Sequence, residues 1–280
     1  MHDKIAAMIG IVQLSLLALL LPAFSSALPK SEIVSFPSGK ITLRGVLYKP
    51  EGTGPFPAVV YNHGSAAGML SNEAFEAIGP VCAGRGWVFF APYRRGQGLS
   101  ASAGPYISDE INAAAKTGGI RAAAATMVRL LENDHLHDQL AGLAWLRKQG
   151  FVQPDRIAVA GNSFGGVEAV LGAERVKYCA AIDAAGGAES WALAPELQML
   201  MTRAVRNSQV PIFFFQAEND HDLSPSRTLS TIMRQAGKPF DLKIYPEFGN
   251  SPQDGHSFTW LGSSIWADDV FSFLEKYCPK

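Results

Sequence analysis

The residues best suited to chemistry form a short glycine-rich segment in the middle of the chain. Residues 161–165 read Gly-Asn-Ser-Phe-Gly, a G-x-S-x-G sequence that follows an apolar run (157–160) and precedes a helical stretch. In a nucleophile elbow the serine lies on a sharp turn between a strand and a helix, and flanking glycines avoid collisions with neighbouring backbone. The sequence therefore predicts that Ser163 is an exposed nucleophile.

A serine hydroxyl is a weak nucleophile at neutral pH, so the elbow requires a histidine base elsewhere in the chain. The chain has six histidines. With this type of elbow the nucleophile, the acid and the base follow one another in sequence, which excludes the histidines that precede Ser163. Of the two that follow, His221 flanks the candidate acids, whereas His256 is predicted to lie in the loop after the last predicted strand. His256 is therefore the predicted base.

The acid that orients this base is expected just beyond the apolar run 212–216, where three carboxylates occur at Glu218, Asp220 and Asp222. A carboxylate here can accept the Nδ1–H of the imidazole and hold the tautomer whose Nε2 takes the serine proton. Asp220 is the predicted acid and Asp222 the alternative, while Glu218 could close the strand end. A metal site at Asp220, His221 and Asp222 is disfavoured, because these residues lack a recognisable ligand spacing.

Two backbone N–H groups are expected to stabilise the oxyanion of a tetrahedral intermediate. One belongs to Phe164, directly after the nucleophile, and the other to Ser65, which ends the segment Asn62-His63-Gly64-Ser65 after the third predicted strand. Gly64 allows the backbone to turn inward. His63 is interpreted as a residue that braces this loop through hydrogen bonds.

The elements that must position these residues alternate along the chain. From residue 33 onward, short apolar runs alternate with amphipathic helical stretches, a pattern typical of a parallel sheet covered on both faces. The predicted fold class is α/β, with about eight mostly parallel strands. The predicted strands are residues 33–36, 41–48, 58–61, 87–91, 157–160, 179–183, 212–216 and 242–245. The predicted helices are residues 73–85, 139–149, 165–172, 224–236 and 264–277.

Two connections, residues 97–137 and 186–209, are longer than usual. Connections of this length generally carry helices, lids or pocket walls. The second connection has six large apolar residues, which either line a substrate pocket or form a satellite core: Trp191, Leu193, Leu197, Met199, Leu200 and Met201. Trp191 is the predicted substrate contact among them.

The chain resembles the α/β-hydrolase superfamily, and within it the dienelactone-hydrolase-like and prolyl-oligopeptidase-like branches. The resemblance covers nearly the whole mature chain. It rests on residues 62–65, on Tyr-Arg-Arg-Gly-Gln-Gly-Leu-Ser at 93–100, on 154–157 leading into the elbow, on Asp220 five residues before Pro225, and on 255–258. It implies an α/β-hydrolase fold and a serine hydrolase, and the spacing of acid and proline favours Asp220 over Asp222.

Two features bear on the substrate. Dienelactone hydrolases proper use a cysteine nucleophile, whereas this chain has Ser163, so dienelactone chemistry is not expected. Arg94 is the predicted substrate-binding arginine, because a guanidinium can bind a carboxylate through two parallel hydrogen bonds, although Arg94 and Arg95 could equally be structural.

These residues together predict hydrolysis of a carboxylic ester of a small molecule through an acyl-enzyme intermediate, without a cofactor or a metal. A small peptidase or an acyltransferase would use the same side chains, and a binding protein on this fold would have lost the chemistry. A nucleic-acid partner is not expected, since 24 Lys+Arg against 25 Asp+Glu give a net charge of -1 without a basic run.

The N-terminal segment predicts export. Residues 1–27 combine an apolar run with small residues at 25 and 27, as in a secretory signal peptide, and an uncleaved anchor is the alternative. We expect a secreted or periplasmic protein with one domain (28–280) and no stable membrane insertion after cleavage. Of the three cysteines, Cys179 is interpreted as a buried apolar residue, and Cys82 with Cys278 as a possible bridge.

Overall fold

The computed structural model describes residues 30–65 and 73–280. The predicted signal peptide, residues 1–27, lies outside the described residues. In the two described segments, no helix combines the length and the apolar character that a membrane crossing requires.

Eight strands of the described chain form one sheet, as the alternation of apolar runs predicts. They are β1 (Ser31–Ser38), β2 (Ile41–Tyr48), β3 (Phe56–Asn62), β4 (Val88–Pro92), β5 (Val152–Asn162), β6 (Ala181–Ala184), β7 (Ile212–Ala217) and β8 (Phe240–Tyr245). Their order is β1-β2-β4-β3-β5-β6-β7-β8. β2 pairs antiparallel with β1 and β4, and all other neighbours are parallel. The predicted α/β fold with a mostly parallel sheet is confirmed.

Eight α-helices of the described chain connect and flank these strands. They are α1 (Glu73–Gly84), α2 (Ile107–Leu130), α3 (Leu136–Leu146), α4 (Phe164–Arg175), α5 (Pro195–Asn207), α6 (Ser224–Gln235), α7 (Pro252–Leu261) and α8 (Ser263–Tyr277). Both long connections carry a helix, α2 in the first and α5 in the second. The α2 backbone is broken at Gly119, whose φ of 68° is readily accessible to glycine.

The core lies on both faces of the sheet. Successive strand residues point to opposite faces, so Val60 and Phe214 pack under helices α2 to α6, whereas Val59 and Phe213 pack under α1, α7 and α8. Helices cover both faces of the sheet, so the two ends of the strands remain accessible. The carboxyl ends of the parallel strands form one rim of the sheet, here called its carboxyl edge, and the loops that follow β3, β5, β6, β7 and β8 meet there.

The apolar residues of the second long connection divide between core and surface. Four of them are buried in the same core as the sheet, namely Trp191, Leu197, Leu200 and Met201, whereas Leu193 and Met199 are exposed. The buried indole of Trp191 packs within the protein and is 6% exposed. This burial favours the core alternative for Trp191, and a contact between Trp191 and substrate stays a prediction.

The disulfide also differs from the prediction. Cys179 is bonded to Cys278, with the two Cα atoms 5.1 Å apart, and Cys82 is a buried free thiol in α1. Cys179 precedes β6 and Cys278 follows α8, so the bridge ties the last helix to the amino-terminal side of the sheet. The sequence could not show this pairing, because it depends on where a strand begins relative to a helix end.

Candidate active site

Ser163 lies on the turn between β5 and α4, as the elbow sequence predicts. Its backbone has φ 55° and ψ -124°, a conformation that is rare for a residue with a side chain. The turn is fixed because the Ser163 N–H donates to the carbonyl of Ala184 at 3.0 Å, and its own carbonyl accepts from the N–H of Gly166 at 2.9 Å. Such strain in a well-held turn is a common feature of functional sites.

The glycines on both sides of Ser163 are required by close backbone contacts. A Cβ on Gly161 would lie 2.0 Å from the carbonyl oxygen of Gly165, and a Cβ on Gly165 would lie 1.9 Å from the carbonyl oxygen of Asn62. Real carbon and oxygen atoms do not approach so closely, and the obstructing atoms are backbone. The G-x-S-x-G spacing therefore has the physical reason that the sequence implies.

Asp220 and His256 are brought together from the ends of β7 and β8. The Nδ1 of His256 lies 2.9 Å from Oδ1 of Asp220, and both side chains are buried. This contact fixes the Nδ1–H tautomer and leaves Nε2 as the proton acceptor. His256 lies within α7 and not in the predicted loop, because Ser251 caps this helix by accepting from the N–H of Asp254.

The carboxylate of Asp220 is itself held by three donors. Its Oδ1 accepts from the N–H of His221 at 2.7 Å, and its Oδ2 accepts from Nε2 of Gln216 at 3.0 Å, in addition to the contact with His256. Asp222 instead accepts from the N–H of Ser224 at 2.7 Å, at the start of α6. Of the two candidate acids, only Asp220 contacts the imidazole among the described hydrogen bonds.

The Nε2 atom of His256 faces a carboxylate that the sequence analysis missed. Glu189 follows β6, and its Oε2 lies 3.7 Å from His256 Nε2, while Oε1 lies 3.6 Å from Nε2 of His221. Burial lowers the pKa of His256, but the hydrogen bond with Asp220 and the charges of Asp220 and Glu189 outweigh burial and raise this pKa above its usual value.

No hydrogen bond within the described chain joins His256 Nε2 to another atom. The hydroxyl of Ser163 and the ring are therefore not directly bonded in this state. Ser163, Asp220 and His256 follow β5, β7 and β8 and lie at the same edge of the sheet. Catalytic hydrogen bonds in unliganded enzymes are often long and tighten only when substrate binds. The triad assignment stays a prediction.

The loop after β3, residues 63–65, lies beside the elbow and is called the β3 loop below. A Cβ on Gly64 would lie 3.4 Å from the Cβ of Ser163, so the loop backbone passes next to the nucleophile. Phe164 is the first residue of α4, and the N–H groups of a first helical turn have no partner within the helix. The N–H groups of Phe164 and Ser65 stay the predicted oxyanion donors.

The β3 loop is held from below by Arg94. Its guanidinium donates to the carbonyl oxygens of His63 at 2.7 Å and Gly64 at 3.0 Å, and to Oγ of Ser65 at 2.8 Å. Its Nε donates to Oε1 of Gln97 at 3.1 Å. Arg94 is 1% exposed, and its donors are directed at the protein. Arg94 is thus a structural residue of this loop, which corrects the prediction that it binds a substrate carboxylate.

His63 braces the same loop, as its interpretation from the sequence states. Its Nδ1 lies 2.6 Å from the carbonyl oxygen of Gly64, and the backbone N–H of Arg94 donates to its Nε2 at 3.4 Å. Burial lowers the pKa of His63 well below its usual value, and the nearby charge of Arg94 lowers it further. A neutral ring with Nδ1–H donating fits both contacts.

Two buried acids beneath the site were not identified from the sequence. Burial raises the pKa of Glu168, in α4, to about 8, although the Arg94 charge acts in the opposite direction. Burial raises the pKa of Asp183, at the end of β6, to about 7, and its Oδ1 accepts from the N–H of Gly186 at 2.8 Å. Acidic residues with strongly raised pKa values often lie at functional sites. The two acids therefore agree with a functional site at the carboxyl ends of these strands.

Comparison with known families agrees with this architecture. Residues 43–268 match the model of the dienelactone hydrolase family. The chain belongs to the dienelactone hydrolase family. The resemblance inferred from the motif residues is confirmed at this level, and the family supports hydrolase activity.

Similar proteins include both esterases and peptidases. Mouse (Mus musculus) dipeptidyl peptidase 8 is 26% identical over 259 residues, which cover 81% of this chain and 27% of that protein. An esterase of Pyrococcus furiosus has a TM-score of 0.65 at 16% identity and covers 89% of this chain and 92% of its own. Acylaminoacyl peptidase of Pyrococcus horikoshii has a TM-score of 0.60 at 16% identity, covering 86% and 42%. This chain thus spans less than half of either peptidase.

Proposed function

We propose that this protein is a serine hydrolase that cleaves a carboxylic ester of a small molecule through an acyl-enzyme intermediate. The observation that carries the proposal is the combination of a strained, glycine-flanked Ser163 at the end of β5 with the buried Asp220–His256 pair at the ends of β7 and β8. The dienelactone hydrolase family and the esterase-like fold support it.

In the proposed mechanism, Oγ of Ser163 attacks the ester carbonyl while Nε2 of His256 takes its proton. Asp220 stabilises the imidazolium that forms, and the N–H groups of Phe164 and Ser65 donate hydrogen bonds to the oxyanion. The imidazolium then gives its proton to the departing alkoxide, which leaves as an alcohol and generates the acyl-enzyme. Water, activated by the same Nε2, hydrolyses the acyl-enzyme and restores Ser163.

The substrate is proposed to be an ester and not a dienelactone. A serine occupies the predicted nucleophile position, and the guanidinium of Arg94 is buried and bonded to the β3 loop. Peptide hydrolysis is a second candidate, because two of the similar proteins are named peptidases. A panel of p-nitrophenyl esters of increasing chain length, run beside short chromogenic peptides and competing alcohol acceptors, separates esterase, peptidase and acyltransferase activity.

The nucleophile is tested by Ser163→Ala, with Ser272→Ala on the exposed face of α8 as a matched control. Loss of a triad serine lowers kcat by a factor on the order of 10⁶. We expect ester turnover of Ser163→Ala to fall to background and that of Ser272→Ala to be unchanged. A fluorophosphonate should add its mass to Ser163. If Ser163→Ala keeps more than about one hundredth of the wild-type activity, instead of losing it about 10⁶-fold, another residue is the nucleophile.

We also propose that the protein acts in a secreted or periplasmic compartment. The signal-peptide pattern of residues 1–27 and the disulfide between Cys179 and Cys278 support this, because disulfides persist in oxidising compartments. Fractionation of the producing cells, with mass determination of the N-terminus, tests it. Recovery of the uncleaved chain in the cytosolic fraction would contradict the proposal.

A further inference from the structure

The carboxylate of Glu189 is the charged group next to the atom that handles the proton in the proposed mechanism. Its Oε2 lies 3.7 Å from Nε2 of His256, and its side chain is 46% exposed, so it borders both the base and the solvent. In the described chain it makes ion pairs with His256 and His221 and with no lysine or arginine. In the active enzyme His256 must be neutral to accept a proton, so His256 then offers this acid no positive charge, and the other ring beside it is that of His221.

The position of Glu189 is built into the fold. It lies in the β6 loop (residues 185–191), which begins with Ala185 at φ 58° and Gly187 at φ 82°. The N–H of Ala185 donates to the carbonyl of Phe215 at 3.1 Å, and the N–H of Trp191 donates to that of Gly187 at 2.8 Å. A chain held by these bonds and by the buried Trp191 keeps the acid beside the base.

A second observation points to a ligand at the same place. Nε2 of His256 makes no hydrogen bond within the described chain although the ring is 5% exposed. A buried polar atom without a partner generally has a functional reason. The leaving oxygen of an ester must come within about 3 Å of this atom to receive its proton. The alcohol part of the substrate and Glu189 are thereby brought within about 7 Å of each other.

We propose that Glu189 determines specificity for the alcohol part of the substrate, favouring esters whose alcohol carries an ammonium group near the scissile oxygen and disfavouring anionic ones. This inference rests on the proposed ester hydrolysis. Two carbons between the ester oxygen and the nitrogen bring the cation to the carboxylate. An ammonium group there pairs with the carboxylate of Glu189, whereas an anionic group is repelled.

Three thioesters of the same acyl group test the proposal: acetylthiocholine, its neutral isostere 3,3-dimethylbutyl thioacetate, and anionic S-acetyl-2-mercaptoethanesulfonate. All three release a thiol that a chromogenic aryl disulfide detects. At low ionic strength we expect kcat/KM for the cation to exceed that for the neutral isostere by about fivefold or more, as expected for a charge pair at a partly exposed site. The anion should be the poorest substrate, and added salt should reduce all differences.

The decisive comparison is the cation-to-neutral ratio of kcat/KM in Glu189→Gln and in Glu275→Gln. Both variants remove one negative charge, but Glu275 lies on the exposed face of α8, far along the chain from the β6 loop. The ratio should fall to about one in Glu189→Gln and keep its wild-type value in Glu275→Gln. An unchanged ratio in Glu189→Gln, or an equal fall in both, would overturn the inference. If the wild type hydrolyses no thioester or p-nitrophenyl ester, the proposed function itself fails.

Discussion

Arg94→Lys is expected to lower kcat while leaving the protein folded, because lysine keeps the charge but not the shape of the guanidinium. The three guanidinium nitrogens of Arg94 donate four hydrogen bonds of 3.1 Å or less, three of them to the β3 loop. An ammonium group has three donors on a single atom and cannot reach acceptors on both sides of a loop. The β3 loop should therefore lose much of its support.

The magnitude follows from what the loop does in the proposed mechanism. Hydrogen bonds that involve a charged group contribute about 1.5–3 kcal/mol each, so loss of two releases the loop by several kcal/mol. If the N–H of Ser65 then leaves the oxyanion position, the cost is bounded by that of one missing donor, about 10² to 10³ in kcat. We expect a fall in kcat of about tenfold to several hundredfold, with KM changed much less.

Steady-state hydrolysis of p-nitrophenyl acetate measures the effect, with thermal unfolding to verify the fold. Arg95→Lys is the matched control, since Arg95 is the next residue and its side chain bonds to Asp134 and Asp138. A displaced oxyanion donor should cost far more than about twofold in kcat. If folded Arg94→Lys keeps kcat within about twofold of wild type, the hydrogen bonds of Arg94 do not set the position of the Ser65 N–H. The same conclusion follows if Arg95→Lys loses as much activity.

Three further predictions concern buried groups and charges. Burial raises the pKa of Glu168 to about 8, so between about pH 5 and 8 the unfolded chain has lost a proton that the folded protein keeps, and stability falls as pH rises. Urea unfolding at both pH values should show a smaller fall in Glu168→Gln. Replacing Cys179 and Cys278 by alanine should lower the free energy of unfolding by about 2–5 kcal/mol, and reductant should destabilise only the wild type. Because Glu189 helps to raise the pKa of His256, the acid limb of kcat/KM should move to lower pH in Glu189→Gln, in a profile measured with a neutral ester; an unmoved limb would contradict this.

The sequence predicts the order of strands and helices along the chain well, because each apolar run is a local property. The order of the predicted nucleophile, acid and base is also visible, because it is a linear property of the chain. Ser163 and its glycines are recognisable for the same reason. The helix around His256 also had a signal, since Ser251 and Asp254 have the spacing of a helix cap and Pro252 suits a first turn. The prediction of a loop there overlooked this local chemistry.

Other features depend on packing that no short segment encodes. Arginine is exposed in most proteins, so Arg94 reads as a surface or ligand-binding residue until the β3 loop is seen folded over it. The pairing of Cys179 with Cys278 depends on a strand start meeting a helix end. The proximity of Glu189 to His256 depends on the path of the β6 loop, where Ala185 has a φ of 58° that no sequence pattern predicts for alanine.

Two charged residues whose positions the sequence did not predict, Arg94 and Glu189, lie on opposite sides of the proposed reaction. Arg94 supports the loop whose N–H would face the oxyanion, and Glu189 faces the imidazole that becomes positive. Acyl transfer separates charge in this sense, with negative charge on the substrate oxygen and positive charge on the base. Burial raises the pKa of Glu168 to about 8, so near neutral pH this acid offsets the positive charge of Arg94 less than an ordinary glutamate would. A fixed cation behind the oxyanion loop and a fixed anion near the base would stabilise the charge-separated transition state more than the uncharged ground state. Removing the charges of both Arg94 and Glu189 should therefore lower kcat more than removing either charge alone.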